Sequence, residues 1–266
     1  MGIRVFETEA QLNGTRVLLC YVDMGSIAAM DPVEIARLLT ADENAELARF
    51  RFPKRRSDWL GGRLATKLVV ARAFGAGLPA VDVAPNWTRK PFARIHGQFV
   101  PADVSISHSG DVAVAALARG VRVGVDIERV EPRSQGFYDM AFSEAERQDV
   151  IRFGAWDALT KAWTMKEALS KALGIGLGLT LHDIAVRDLS QGLLALSAQA
   201  SQKLILDPND IYRTQCPEMP QWSSGYVASV CTAADGPFPK AAVKDFTSSG
   251  AGHPAHMTGG ITHGIR

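Results

Sequence analysis

Apolar and polar residues alternate along one short stretch near the middle of the chain. From residue 121 to 128, valine and isoleucine alternate with Arg122, Gly124, Asp126 and Glu128. A period of two in a β-branched run predicts a half-buried strand, with both carboxylates on one face and the aliphatic side chains on the other. Gly124 shares the acidic face, and because it has no side chain we expect room for a ligand there.

The residues before this stretch predict two more strands, at 104–108 and 112–118. A Ser-Gly-Asp turn separates these two strands, and an Arg-Gly turn leads into the acidic strand. Short strands joined by such turns predict an antiparallel meander over 104–128. Further strands are predicted at 15–23 and near 182–187, 203–206 and 222–231.

A helical pattern occurs downstream. Apolar residues recur every three or four positions from Leu159 to Leu173, which predicts one face of a helix over 156–173. Glu167 and Lys171 lie on a neighbouring stripe and are four residues apart, so they can meet on the helix surface. Other helices are predicted to begin at Asp31, to run from Ser57 or Asp58 to Phe74, and to span 143–153.

This order of elements has no repeated βαβ rhythm and predicts the α+β fold class. Residues 236–266 are rich in glycine, proline, serine and threonine and have little apolar periodicity. We therefore expect a disordered tail over that range.

Composition and charge exclude several kinds of partner. The formal net charge of +1 over 266 residues gives no basic footprint for nucleic acid. The sequence has no run of 18 apolar residues, so no membrane span is predicted, and the N-terminus lacks the apolar stretch of a signal peptide. Cys20, Cys216 and Cys231 are too few and too widely spaced for a disulfide scaffold or a zinc site. We expect a cytoplasmic protein that binds neither nucleic acid nor membrane.

The candidate chemistry lies where the acidic strand and the helix contribute Asp126, Glu128, Glu167 and Lys171. Neighbouring carboxylates repel each other unless something neutralises them, and a hard divalent cation with oxygen ligands would do so. A cation held in this way could in turn hold a phosphate. The alternatives are a solvated strand face for the aspartate and glutamate, and an ordinary helix ion pair for Glu167 and Lys171.

Three motifs in order make the sequence recognisable: Gly-Val-Asp-Ile-Glu at 124–128, Phe-Ser-Glu-Ala-Glu at 142–146 and Trp-Thr-Met-Lys-Glu-Ala-Leu-Ser-Lys at 163–171. They resemble the 4'-phosphopantetheinyl transferase superfamily, in its larger bacterial, surfactin-synthetase-activator type. Upstream, Val-Ser-Ile-Ser-His-Ser at 104–109 and Arg-Lys-Pro-Phe at 89–92 are also similar to family segments, the latter with arginine where glycine is usual. The resemblance covers roughly residues 45–190.

The resemblance implies a fold of two similar α+β halves related by a pseudo-two-fold axis. Antiparallel sheets would pack with helices, and the active site would lie in the cleft between the halves. We assign residues 1–120 to an N-terminal half with the coenzyme A-binding basic residues. Residues 121–235 form a C-terminal half with the metal and catalytic residues, and 236–266 is the tail.

The implied reaction moves the 4'-phosphopantetheine arm of coenzyme A to a serine of an apo acyl or peptidyl carrier protein. The other product is adenosine 3',5'-bisphosphate. Mg²⁺ is the implied cofactor, and the sequence leaves the choice between Mg²⁺ and Mn²⁺ open. Enzymes of the larger type are expected to be monomers, and their carrier proteins are expected to be acidic.

Site residues are carried over position by position from the resemblance. The metal ligands are Asp126, Glu128 and Glu167. The catalytic residues are Glu167, which takes the serine proton, Lys171, which steadies the phosphate charge, and His108. The residues that bind coenzyme A are Arg63, Arg89, Lys90, Ser107, His108 and Lys171.

Some assignments stay open at this stage. Arg63 and one or more of Lys54, Arg55 and Arg56 compete for the 3'-phosphate, and those three also suit a solvated loop. His108 also suits a satisfied core histidine. Glu146 either faces the site or only returns to Ser143 in a capping box at a helix start.

Two rival functions are also open. One is a non-catalytic module that binds coenzyme A or a carrier protein. The other is an unrelated metal-dependent phosphoryl transferase or hydrolase, which the lack of a Walker-type glycine-rich loop disfavours.

Overall fold

Antiparallel strands alternate with helices along residues 2–86, 89–152, 156–174 and 179–234, which are the residues that the computed structural model describes. The strands in this part of the chain are β1 Val5–Leu12, β2 Thr15–Asp23, β3 Val81–Pro85, β4 Pro91–Ile95, β5 Gln98–Phe99, β6 Asp103–Ser109, β7 Val112–Ala118, β8 Arg122–Arg129, β9 Ile184–Asp188, β10 Leu193–Leu196, β11 Ile211–Gln215 and β12 Tyr226–Ala233.

Two helices are long, and the others are short connectors. The α-helices are α1 Met24–Ala28, α2 Pro32–Leu38, α3 Ala41–Leu47, α4 Pro53–Phe74, α5 Gln135–Ala141, α6 Glu144–Arg152, α7 Trp156–Leu173 and α8 Ala198–Leu204. Among the described residues, none of these helices is long and apolar enough to cross a membrane.

The strands form three antiparallel sheets. The first has the order β1-β2-β7-β6, the second β8-β12-β11-β10-β9, and the third, small sheet β3-β4-β5. The two larger sheets share one pairing. Strand β2, which comes before α4, pairs with β7, and strand β8, which comes before α7, pairs with β12. Mixed helices and antiparallel sheets confirm the predicted α+β class.

The hydrophobic core lies in layers. One face of the first sheet packs against α4, with Val22 and Leu64 among its buried residues. The other face packs against the second sheet through residues such as Leu19 and Val125. The far side of the second sheet packs against α7 through residues such as Leu169. The order of layers is therefore α4, first sheet, second sheet and α7.

Several predicted elements are confirmed. The strands predicted at 15–23 and 112–118 match β2 and β7 at both ends, and the helix predicted over 156–173 matches α7. Helix α2 begins as predicted, since the Asp31 carboxylate accepts a hydrogen bond from the Val33 amide and proline occupies the first turn. Helix α4 ends at Phe74 as predicted but begins at Pro53, earlier than Ser57, because proline suits the first helical position.

The predicted meander over 104–128 is wrong in its third strand. Strands β6 and β7 form the predicted hairpin, but β8 pairs with β12 and not with β7. The reason is that β7 already pairs with β2 on one side and β6 on the other, so it has no free edge. Strand β8 instead begins the second sheet.

The strand predicted near 203–206 is also wrong. This stretch belongs to the end of α8, which Ser197 caps by accepting a hydrogen bond from the Ala200 amide. The helix stops at Ile205, whose φ of 57° is left-handed. The short apolar run is therefore a helix end and the turn after it.

The described part of the chain forms one compact unit. The division into halves at residue 120 stays a prediction. The tail predicted over 236–266 lies outside the described residues.

Candidate functional site

Asp126 joins three elements at the centre of the site. It lies on β8 and is only 3% exposed. Its Oδ1 accepts hydrogen bonds from Lys171 Nζ on α7 and from Ser107 Oγ on β6, each at 2.7 Å. Lys171 also donates to Ser107 Oγ at 3.0 Å. The other carboxylate oxygen, Oδ2, is buried and has no hydrogen-bond partner among the described residues.

Glu128 lies two residues further along the same face of β8. Its Oε2 accepts hydrogen bonds from the Arg133 guanidinium and from Ser109 Oγ, each at 3.0 Å. Burial raises the pKa of Glu128, and the nearby charge of Asp126 raises it further. Two carboxylates therefore share this strand face, as predicted, and each is paired with a cation.

Glu167 reaches the same cluster from α7. Burial raises its pKa, Lys171 lowers it, and the charges of Asp126 and Glu128 raise it again. Interactions of this kind place the three carboxylates in one electrostatic group. The alternative of a simple Glu167–Lys171 ion pair is not what the described contacts show, because Lys171 is bonded to Asp126.

Gly124 does not leave room for a ligand, contrary to the prediction. A Cβ placed on Gly124 would lie 1.9 Å from the carbonyl oxygen of Ala168. The missing side chain therefore allows the backbone of α7 to approach β8 closely. This approach brings Glu167 and Lys171 of α7 to the acidic face of the strand.

Side chains of β6 bond to β8 without a backbone ladder between the two strands. The Asp103 carboxylate accepts from the Val123 amide at 2.7 Å, and Ser105 Oγ accepts from the Val125 amide at 3.1 Å. We call this contact between β6 and β8 the seam. It joins the two larger sheets and continues with the bonds of Ser107 to Asp126, of Ser109 to Glu128 and of the Arg129 amide to Ser109 Oγ.

His108 lies beside the seam and faces solvent. Its side chain is 41% exposed, and Nδ1 lies 3.7 Å from a carboxylate oxygen of Asp58. The same oxygen of Asp58 accepts a hydrogen bond from Lys54 at 2.6 Å. Burial lowers the pKa of His108, and the charges of Asp58, Lys54, Lys171 and Asp126 also act on it. His108 is therefore not a core histidine, and it lies near the acidic cluster.

Lys90 lies at the other end of the seam. Its ammonium pairs with the Asp103 carboxylate at 2.5 Å and lies 3.4 Å from the carbonyl oxygen of Val123. Arg89 is exposed and has a left-handed φ of 65°. Lys90 and Lys171 therefore both lie along the seam, and each is bonded to an aspartate there.

Arg63 is held inside the N-terminal elements. Its side chain is 8% exposed and lies 3.4 Å from Glu46 and 3.8 Å from Glu43. The guanidinium also donates to the carbonyl oxygen of Val83 and stacks 4.5 Å from the centre of the Trp59 ring. The described contacts of Arg63 do not include the acidic cluster.

A buried ion pair of α7 was not predicted as a feature of the site. Lys166 is fully buried, and its Nζ lies 2.8 Å from the carboxylate of Glu146. Burial alone would raise the pKa of Glu146, but the hydrogen bond and charge of Lys166 outweigh it and hold that pKa below its usual value. The capping box with Ser143 is confirmed. The sequence signal for Glu146 was the capping box, but nothing local in the sequence indicated that Lys166 would be its second partner.

The donor set fits a divalent cation that prefers oxygen. Three carboxylates act on one another here, and Asp126 Oδ2 is a buried oxygen without a partner. The side chains do not converge, however: the described residues include no group of three histidine, cysteine, aspartate or glutamate side chains arranged to hold a metal ion. The cations Lys171 and Arg133 occupy Asp126 and Glu128 instead.

The fold is α+β, and carboxylates and a lysine meet beside its seam. Such a group of side chains suits a divalent cation and a phosphate. Residues 122–231 match the sequence model of the 4'-phosphopantetheinyl transferase superfamily. That segment contains β8, α7 and most of β12, and therefore Asp126, Glu128, Glu167 and Lys171. The resemblance of the motifs to this superfamily is confirmed.

Individual relatives carry related names. An L-aminoadipate-semialdehyde dehydrogenase-phosphopantetheinyl transferase of Xenopus laevis is 26% identical over 162 residues, which cover 56% of this chain and 54% of the relative. A phosphopantetheinyl transferase of Thraustochytrium is 30% identical, over 54% of this chain and 55% of the relative. A 4'-phosphopantetheinyl transferase of Bacillus subtilis is 36% identical over 89 residues, which cover 32% of this chain and 39% of the relative. The matched part spans about half the length of the first two relatives and less than half of the third.

Proposed function

We propose that this protein is a 4'-phosphopantetheinyl transferase, which moves the 4'-phosphopantetheine arm of coenzyme A to a serine of an apo acyl or peptidyl carrier protein. The other product is adenosine 3',5'-bisphosphate. The observation that carries the proposal is the three-way contact of Asp126, Lys171 and Ser107 at the seam. This contact joins a carboxylate, an ammonium and a hydroxyl. The carboxylate and the ammonium belong to the segment that matches the superfamily, and the hydroxyl comes from β6.

Phosphoryl transfer of this kind depends mainly on positioning and charge. Lys171 presents its ammonium as a donor to the pyrophosphate oxygens, and Ser107 would donate to them once its proton leaves Asp126 Oδ1. His108 approaches from the exposed side. Glu167 accepts the proton of the attacking serine. Burial raises the pKa of Glu167, which brings this carboxyl closer to the pH range in which a general base works.

Asp126, Glu128 and Glu167 would hold a Mg²⁺ ion. When bound, the ion supplies positive charge to the phosphate oxygens. Lys171, bonded to Asp126, and Arg133, bonded to Glu128, would add positive charge of this chain's own beside the same carboxylates. Ser109, which also donates to Glu128, would keep that carboxylate oriented.

The nucleotide end of coenzyme A would meet basic residues. Lys90 and Arg89 lie at the opposite end of the seam from Glu128 and suit the adenine and phosphate end. For the 3'-phosphate, exposed Lys54 and Arg55 are better candidates than Arg63, because Arg63 is buried among Glu43 and Glu46. A phosphate at Arg63 would have to compete with those two carboxylates.

We also propose that the seam lies in the cleft between two similar halves, 1–120 and 121–235, related by a pseudo-two-fold axis. The matching strand orders β2-β7-β6 and β8-β12-β11 support this relation. By resemblance the enzyme is of the larger bacterial type, monomeric and cytoplasmic, and its carrier protein is acidic.

The test is the intact mass of an apo carrier protein incubated with this protein, coenzyme A and Mg²⁺. A mass gain of one phosphopantetheine is expected, and EDTA should prevent it. The Asp126→Ala variant is the matched control for contaminating transferase.

Two outcomes would contradict the proposal. No mass gain across several carrier types, with the protein folded and coenzyme A bound, would indicate a binding module. Release of the bisphosphate without any carrier protein would indicate a hydrolase.

A further inference from the structure

The buried ammonium of Lys166 ties α7 to three other segments. Nζ donates to the Glu146 carboxylate at 2.9 Å, to the carbonyl oxygen of Ala141 at 2.9 Å and to that of Leu181 at 3.1 Å. A lysine ammonium has three donors, so these three bonds use all of them. The acceptors belong to the end of α5, the first turn of α6 and the turn before β9.

Glu146 extends this contact to a strand. Its Oε2 accepts from the Ser143 amide, and its Oε1 accepts from the Val186 amide of β9, each at 2.9 Å. Both carboxylate oxygens therefore have partners from the backbone as well as from Lys166. The Lys166–Glu146 pair fixes α5, α6 and β9 against one turn of α7.

That turn carries Glu167, the next residue in the chain. On the other side of the same turn, Thr164 Oγ1 lies 2.8 Å from Ser229 Oγ on β12, and Ser229 is the cross-strand partner of Asp126. Helix α7 is therefore held at Thr164 to β12, and at Lys166 to α5, α6 and the turn before β9. Glu167 follows directly after Lys166, and the charges of Asp126 and Glu128 act on its carboxyl group.

The N-terminal region contains the same kind of buried lysine–glutamate contact, but no acidic residue follows the lysine in the chain. Lys67 of α4 is fully buried and bonds to Glu43 at 2.7 Å. Glu43 forms a capping box with Thr40 and lies 3.4 Å from the amide of Val83 on β3. The residue after Lys67 is Leu68, whereas the residue after Lys166 is Glu167. The two pairs therefore share one architecture and differ in the residue next to the lysine.

We propose that Lys166 and Glu146 are positioning residues, which set the place of the Glu167 carboxylate relative to Asp126 and the attacking serine, whereas Lys67 and Glu43 only stabilise the fold. This inference rests on the proposed transferase function. Displacing a catalytic group by about 1 Å costs roughly a hundredfold in rate. Loss of the Lys166 contact should therefore act on kcat, and loss of the Lys67 contact should not.

The experiment compares Lys166→Met with Lys67→Met in the full-length chain. Thermal unfolding gives the folded fraction of each, and carrier modification is measured well below both midpoints. Both variants should be destabilised to a similar degree. We expect kcat per folded molecule to fall about tenfold to a hundredfold for Lys166→Met, with KM for coenzyme A little changed, and to stay within about threefold of wild type for Lys67→Met.

A second pair of variants covers the case in which Lys166→Met does not fold. Replacing the ion pair with a neutral one, as in Glu146→Gln with Lys166→Gln, keeps hydrogen-bonding groups but removes the ammonium that reaches three acceptors. Its partner control is Glu43→Gln with Lys67→Gln. The variant Lys166→Arg, which keeps the charge and several donors, should recover part of the lost kcat.

Equal losses of kcat in the two regions, or losses that disappear once the folded fraction is taken into account, would overturn the inference. Failure of the wild-type protein to modify any carrier protein is a separate result, which would contradict the proposed function instead. Because the wild type is measured beside every variant, the two failures are distinguishable.

Discussion

The N-terminal and C-terminal regions of this protein use the same frame but carry different chemistry. In both, a capping-box glutamate pairs with a buried lysine of a long helix, and a left-handed glycine ends that helix eight residues after the lysine. The glycines are Gly75 and Gly174. The strand faces toward the helices differ, since Val22 of β2 is apolar where β8 presents Asp126 and Glu128.

Close approach of helix and strand is also achieved differently in the two regions. In the N-terminal region, Gly61 and Gly62 lie on the helix and allow α4 to approach side chains of Met24 and Ile106. In the C-terminal region Gly124 lies on the strand and allows the backbone of α7 itself to approach. The comparison separates two contributions: the buried ion pair ties the long helix to its neighbours in both regions, and only the C-terminal region adds the acidic strand face to which we assign the proposed reaction.

The largest effect should come from Asp126→Ala. This change removes the partner of Lys171 and Ser107, and we expect carrier modification to fall by about a hundredfold or more. The matched change in the N-terminal region is Val22→Ala, which should lower the free energy of unfolding by roughly 1–3 kcal/mol but leave the rate per folded molecule near that of wild type. Rates from intact mass and unfolding in urea check both. Normal turnover by Asp126→Ala would remove this residue from the site.

Gly124→Ala should have the next largest effect. The added methyl group would collide with the Ala168 carbonyl oxygen, so we expect the free energy of unfolding to drop by about 1–3 kcal/mol and transfer to fall as α7 is displaced. Gly61→Ala is the control, because the nearest atom there belongs to the flexible side chain of Met24. The comparison breaks down if Gly61→Ala impairs transfer as strongly as Gly124→Ala does.

The seam offers a finer comparison between two serines of β6. Ser105→Ala leaves the buried Val125 amide without an acceptor and should cost roughly 1–3 kcal/mol of stability. Ser107→Ala removes contacts with Asp126 and Lys171, and we expect transfer to slow by about tenfold with a smaller loss of stability. Urea unfolding and initial rates separate the two effects. The same profile for both serines would show that the seam is only structural.

The smallest effect concerns acid stability. Lys166 holds the pKa of Glu146 below its ordinary value of 4.5. The ionised carboxylate therefore stabilises the fold above pH 4.5, and this stabilisation is lost as the pH falls through the lowered pKa. In Glu146→Gln this contribution is absent at every pH. The free energy of unfolding should therefore depend less on pH below about 4.5 in the variant than in wild type. Parallel curves would show that Glu146 does not titrate on unfolding.

Local patterns predicted the elements of this fold well, and long-range pairing poorly. Alternation in 121–128 identified β8 and its acidic face, and the helical spacing identified α7, because both signals are set within a few residues. The pairing of β8 with β12 depends on which edge of another sheet is free, and no local pattern contains that information. The same limit explains Gly124, where the sequence shows a missing side chain but not that a helix backbone fills the space.

The site was predicted in part for a similar reason. Motif similarity supplied Asp126, Glu167 and Lys171 together, and the structure bonds Lys171 to Asp126 at the seam, with both of their charges acting on the pKa of Glu167. Motif similarity could not show that Lys171 bonds to Asp126 rather than to Glu167, because that choice depends on the distance between α7 and β8. Nor could it show that Arg63 is buried, since its partners Glu43 and Glu46 come from a separate helix.

The central claim is that the carboxylates of the C-terminal region perform the reaction while the rest of the frame holds them. Glu167→Gln tests this claim most directly, because it removes a charge and a proton acceptor but keeps the size of the side chain. Coenzyme A affinity by calorimetry and carrier modification by intact mass should be measured on the same sample. We predict retained coenzyme A binding with transfer reduced by about a hundredfold or more. Transfer at the wild-type rate with normal binding would contradict the account.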